Sequence, residues 1–188
     1  MASLVVVYHS GFGHTEKVAQ HVALGAASVE GMGVAQMSVE ALDWELLDAA
    51  DAIIFGAPTY MGSVSAPFKV FMDQTSRQWL RQSWKHKVGA GFTNSGGLSG
   101  DKLNVLFQLQ IFATQHGMIW AGLPQLPTGT TPEDINRMGT YMGLMTQADN
   151  GSPEVTPPSG DLKTAEIFGA YVARVTLRWV AGASAWDA

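Results

Sequence analysis

The chain has 188 residues, 14% of them charged, a formal net charge of −5 and no cysteine. A length of this order supports one domain, 1–188, with a single buried core, and charges spread along the sequence leave no basic footprint for nucleic acid or an anionic membrane surface. Without cysteine, disulfides, thiolate catalysis, iron–sulfur clusters and cysteine-type zinc sites are excluded; His9, His21 and His86 show no spacing with carboxylates that suits a metal.

The first element is the apolar run Leu4 to Tyr8. It is too short to cross a membrane and has no basic leader, so a core strand and a cytoplasmic protein without membrane insertion are expected. It breaks into Ser10, Gly11, Phe12, Gly13, His14 and Thr15, after which Val18, Val22, Ala26 and Val29 mark one helix face. A helix start carries unpaired N–H groups and about half a positive charge, so an anion is stabilised there by the backbone itself. Ser10 and Thr15 add hydroxyl donors, and glycine lets the backbone close around a phosphate. The junction reads as a phosphate cradle, with an ordinary strand-to-helix turn as the plainer reading. It is not a dinucleotide fingerprint, because Glu16 stands where G-x-G-x-x-G requires its third glycine.

Further along, apolar runs are expected as strands at Val34 to Val39, Ala52 to Gly56, Val88 to Phe92 and Met118 to Trp120. Between them lie helical patterns. Trp44, Leu47 and Ala50 mark a short one; Pro67 opens another carrying Phe68, Phe71, Met72 and Trp79. Asp101 is placed to begin a helix facing Leu103, Leu106, Phe107 and Ile111 inward, with His116 at its carboxyl end favoured by the helix dipole. Leu123 to Gly160, rich in Pro, Gly, Thr and Asp, reads as a long irregular excursion without a strand, and loops of that length are often functional. A final helix over about Leu162 to Trp179 is expected to bury Phe168, Tyr171, Val172 and Val175.

Strands alternating with helices predict an α/β fold with a five-stranded parallel sheet. In such sheets ligands bind beyond the carboxyl ends of strands, where strand order reverses. With order 2-1-3-4-5, three loops converge there: Ser10 to Thr15, Gly56 to Ser63, and Thr93 to Gly100. The first suits a phosphate; the other two, glycine-rich, suit a flat ring. No G-x-S-x-G elbow and no acid pair after the first strand point to a hydrolase or a phosphoacceptor domain.

Loop Ser10 to Thr15, G-A-P-T-Y-M-G from Gly56, F-M-D-Q-T from Phe71, F-T-N-S-G-G from Phe92 and Q-H-G-M from Gln115 occur in this order. Together they resemble the WrbA-like NAD(P)H:quinone oxidoreductases of the flavodoxin superfamily, from about Leu4 to Pro124 and again from Asp149 to Ser152 into the last helix. The resemblance implies a flavodoxin-like three-layer sandwich that binds FMN and moves two electrons from NADH or NADPH to quinones, as a homodimer or homotetramer. By the same resemblance, Ser10, Gly11, Phe12, Gly13, His14 and Thr15 form the phosphate loop, and Pro58, Thr59, Tyr60, Met61 and Gly62 lie beside the isoalloxazine. Thr93, Asn94, Ser95, Gly96, Gly97, Leu98 and Ser99 make the second ring clamp, joined by Gln115. Phe12 and Trp79 occupy positions of aromatics that meet the nicotinamide and the incoming substrate; helix-face packing is the alternative for Trp79.

The chain also departs from that pattern. Tyr60 and Met61 replace an arginine and an aromatic, and Gln115 replaces the first of two histidines and cannot titrate near neutrality. Two other functional readings stand beside the reductase: a flavodoxin-type one-electron carrier, and a regulatory protein that keeps FMN as a structural ligand.

Overall fold

Chain order alternates strand and helix. The computed structural model describes residues 1–182 and runs β1 (Ala2–Tyr8), α1 (His14–Ala27), β2 (Met32–Ser38), α2 (Trp44–Ala49), β3 (Ala52–Tyr60), β4 (Ser63–Val64), α3 (Ala66–Gln74), α4 (Ser76–Arg81), β5 (Val88–Ser95), α5 (Lys102–Gln115), β6 (Ile119–Trp120), β7 (Leu144–Gln147) and α6 (Ser159–Ala181). The central sheet has the order β2-β1-β3-β5-β6, all parallel, with β4 turned back on the end of β3. This is the expected flavodoxin-like order, in which the fourth and fifth runs are β5 and β6. Tyr8 pairs with Gly56 and Gly56 with Phe92; β1 stops at that level while β3 and β5 run on to Tyr60 and Ser95, and their loops leave the same edge of the sheet.

The edge position next to β5 is shared. β6 pairs only with Val88 and Gly89, and β7 takes over opposite Phe92 to Ser95. The long excursion is therefore not strandless as expected; residues 121–143 interrupt one strand position, which β7 then resumes. Four residues with alternate burial, Leu144 and Thr146 inside, are too short a signal to stand out among glycines and threonines.

Alternating side chains on each strand feed two apolar layers. Leu4, Val6, Val18, Val22, Phe168 and Val172 fill the layer under α1 and α6. Val5, Val7, Ile53, Phe55, Phe71, Trp84, Leu106 and Phe112 fill the other. Helices α1 and α6 touch backbone to backbone: a Cβ on Gly169 would lie 1.9 Å from the Val22 carbonyl oxygen, and one on Gly25 1.9 Å from that of Glu166.

Helix α5 differs from expectation. Leu103, Phe107 and Ile111 are exposed, while Val105, Leu106, Leu109, Phe112 and Ala113 face the sheet. This helix is apolar on nearly every side, so its period has no unique phase. The sheet chooses it: Leu109 and Ala113 nest against Gly91 and Gly89, and Leu106 against Gly143. Asp101 stands at the start of α5 but in a left-handed conformation, with no capping bond from its side chain. Among the described residues no helix is long and apolar enough to cross a membrane.

Candidate functional site

Three loops and the segment after β7 enclose a cleft of about 410 Å³ at the carboxyl edge of the sheet. Ser10, Phe12, His14 and Thr15 line one wall, Pro58 and Tyr60 a second, Asn94, Ser95 and Gly96 a third, and residues 148–151 with Pro153 close the fourth side. The lining contains no Lys or Arg, and Asp149 carries its one carboxylate.

The first loop turns sharply into α1 at Gly13, whose φ of 88° is open to glycine without strain. A Cβ there would also meet Pro153 Cγ at 2.7 Å. His14 Nε2 donates to the Gly151 carbonyl at 2.8 Å, tying the loop to the far wall. That wall is set by an Asx turn in which Gly151 N donates to Asp149 Oδ1 at 2.9 Å. The Ser10 hydroxyl is buried and has no hydrogen-bond partner among the described residues. A buried, unmade hydroxyl bond beside a helix N-terminus fits a phosphate cradle, since its cost would be recovered when an anion accepts the bond.

The ring-side loops are apolar and amide-rich. Tyr60 meets Phe12 edge to face at 6.5 Å between ring centres. Burial raises the Tyr60 phenol above its ordinary pKa, so it stays a neutral donor at neutral pH. Thr146 Oγ1 donates to Asn94 Oδ1 at 2.8 Å, which leaves the amide nitrogen as the free end. Thr59 and Thr93 are both buried and share a hydrogen bond of 2.7 Å beneath the cleft. These groups suit a phosphate monoester at one end and a planar, hydrogen-bonding ring at the other, and so fit FMN.

Other candidates lie apart from the cleft lining. Met61 is fully exposed at the tip of the β3–β4 hairpin, where it and Gly62 both have positive φ. Leu98 is exposed, and the Gly97 and Leu98 carbonyls turn inward to Lys102. Trp79 and Gln115 line a second hollow of about 440 Å³ between α3, α4 and α5, with Met72, Thr75, Ile111 and His116. His116 caps the carboxyl end of α5 as expected, but not as a cation favoured by the helix dipole. It is buried against Trp84 and Phe112, and burial pulls its pKa down to about 4, so it is neutral at pH 7. The Thr75 hydroxyl donates to the Met72 carbonyl at 2.7 Å, so the Thr75 oxygen accepts from His116 Nε2 at 2.9 Å. The His116 Nδ1 lone pair is left buried without a partner among the described residues.

The wall at residues 148–153 is what residue-by-residue reading of the three loops leaves out of the site. Its signal was the turn sequence Asp149-Asn150-Gly151 with Pro153, directly after a short alternating segment.

A parallel sheet in this order, with an unpartnered serine hydroxyl at the helix start after its first strand and a cleft between that turn and the next two loops, fits a flavodoxin-like FMN-binding protein. The chain belongs to the NADPH-dependent FMN reductase family, whose model matches residues 13–132. It is 44% identical to the flavodoxin FldP of Pseudomonas aeruginosa (strain UCBPP-PA14), over 93% of this chain and 97% of that protein. It is 31% identical to an NAD(P)H dehydrogenase (quinone) of Sinorhizobium fredii (strain NBRC 101917 / NGR234), over 95% of this chain and 98% of that one. Among solved structures it is similar to the flavodoxin, WrbA-like protein from Agrobacterium tumefaciens, with TM-score 0.77 and 41% identity, covering 95% of this chain and 99% of that one. The WrbA-like resemblance read from the motifs holds, and membership brings FMN as cofactor and NAD(P)H as electron donor.

Proposed function

We propose that this protein is an FMN-dependent two-electron NAD(P)H:quinone oxidoreductase that works in the cytoplasm as a homodimer or homotetramer. The observation that carries the reading is the aromatic pair Phe12 and Tyr60 at the mouth of the cleft: Phe12 is 76% exposed although it sits in the cofactor loop. An exposed ring held edge-on by a second one is a platform for a nicotinamide and then for a quinone. Bound FMN supplies the hydride chemistry.

The protein's own groups bind and orient. Ser10 and Thr15 donate to the phosphate together with the first N–H groups of α1. Pro58 and Tyr60 on one side and Asn94, Ser95 and Gly96 on the other would hold the ring, and backbone donors of the same loop, which continues past the lining to Ser99, would favour a negative charge on it. Phe12 orients the incoming substrate. Within one subunit Trp79 and Gln115 take no part, since they line the other hollow. The exposed face Leu103, Phe107 and Ile111 of α5 supports an oligomer.

The resemblance to a protein named a flavodoxin favours a second reading, a one-electron carrier. Anaerobic stopped-flow of the FMN-loaded protein separates the two. NADH or NADPH should bleach the flavin within the first seconds, and benzoquinone should return it in a single two-electron step. Refusal of both nucleotides, with two separate one-electron waves on dithionite titration, would establish the carrier instead.

A further inference from the structure

Lys102 is a charged side chain with no solvent exposure, and none of the cleft-lining groups needs it for contact with a ligand. It is the first residue of α5, directly after the glycine-rich loop. Its ammonium donates to the carbonyl oxygens of Gly97 and, at 3.2 Å, Leu98. Gln147 Nε2, from the end of β7, donates to the carbonyl of Gly96 at 2.9 Å. Three successive carbonyls of the ring-side loop are thus drawn inward by donors beneath it.

The donors are themselves braced. Asp161 on α6 pairs with Arg137 Nε at 2.7 Å and accepts from Gln147 N at 2.7 Å, while Arg137 Nη2 donates to Gln147 Oε1 at 2.9 Å. Burial pulls the Lys102 pKa down to about 8; the Asp161 carboxylate opposes this and the Arg137 charge adds to it.

A trans peptide is planar, with its N–H pointing opposite to its C=O. Carbonyls of Gly96, Gly97 and Leu98 held inward therefore turn the N–H groups of Gly97, Leu98 and Ser99 outward. None of these three N–H groups donates to another group among the described residues. Successive amides facing one way make an anion-attracting concavity.

We propose that Lys102 is a positioning residue for electron acceptance: with Gln147 it holds the loop carbonyls inward, so that the amides of Gly97, Leu98 and Ser99 stand as fixed donors toward the reduced ring. The proposal rests on FMN occupying the cleft described above. Donors fixed before reduction need no reorganisation when charge arrives, so they favour reduced over oxidised flavin. Lysine suits the task because one ammonium has three donors to share between two carbonyls.

The test compares Lys102→Met with the wild type, measuring the affinity of each apoprotein for oxidised and reduced FMN and the two-electron midpoint potential of each FMN-loaded protein. Oxidised FMN should bind within about threefold of wild type and reduced FMN about tenfold more weakly, which lowers the potential by about 30 mV. An unchanged potential in a variant that binds FMN would overturn the proposal and leave the functional reading standing. A wild type that binds no FMN would instead overturn both. Should Lys102→Met fail to fold, the wild-type apoprotein still decides. The carbonyl ¹³C shifts of Gly97 and Leu98 should titrate together with Lys102 around pH 8, and shifts that stay flat across that range would refute its hold on the loop.

Discussion

Replacing Ser10 by alanine should move stability and cofactor affinity in opposite directions. The Ser10 hydroxyl is buried without a partner among the described residues, so the apoprotein bears the desolvation cost of an unmade hydrogen bond, about 1–3 kcal/mol. Ser10→Ala removes that group and leaves a methyl of nearly the same volume. For a chain of this size each kcal/mol is worth about 2–4 °C in Tm, so the variant apoprotein should melt a few degrees higher. With FMN the sign reverses. A hydrogen bond to a charged group contributes about 1.5–3 kcal/mol, so FMN should bind roughly 10- to 150-fold more weakly. Melting with and without FMN, together with a titration of FMN fluorescence, reads both effects; riboflavin, which lacks the phosphate, should bind both proteins alike. A variant that melts lower as apoprotein and binds FMN unchanged would show that the first loop is an ordinary turn.

Phe12→Ala should raise KM for the nicotinamide nucleotide several-fold and leave FMN affinity within about threefold, a split that steady-state kinetics beside FMN titration would measure; a change in FMN affinity alone would place Phe12 on the cofactor. Gly169→Ala should destabilise the fold by about 1–3 kcal/mol through overpacking, because its Cβ would lie 1.9 Å from the Val22 carbonyl and one helix must shift; urea denaturation that matches wild type would refute the backbone contact. Burial depresses the His116 pKa from 6.5 to about 4 in the folded state, so stability is fully present above pH 6.5 and is lost as pH falls toward 4, by about 3 kcal/mol in all. His116→Phe should flatten that part of the pH profile in urea titrations at pH 7 and 4.5, and an unchanged slope would deny His116 the role.

Much of the site was legible because its chemistry is local. The turn Ser10 to Thr15 needs glycine where φ is positive, hydroxyls where an anion would be held and an apolar strand before it, and all three are visible within a dozen residues. The same holds for Asn94 to Gly97, where glycine follows a buried strand. Residues 148–153 were harder to assign because their place at the cleft depends on β7 pairing with β5, a contact more than fifty residues distant along the chain.

Sequence by itself determined the parallel α/β class, since buried strands alternating with amphipathic helices have few ways to pack, and it marked the turn Ser10 to Thr15 as the candidate anion cradle, whose donors belong to one turn. Tertiary structure alone decided the rotation of α5, because a helix apolar on all sides takes its phase from the glycines it meets on β5. It also decided that Trp79 and Gln115 stand away from Phe12, and that Lys102 lies buried under the ring-side loop rather than in solvent. A lysine after Gly-Asp reads as a surface charge until three elements close over it: its cost of burial and the carbonyls that offset that cost come from residues that meet only in the folded chain.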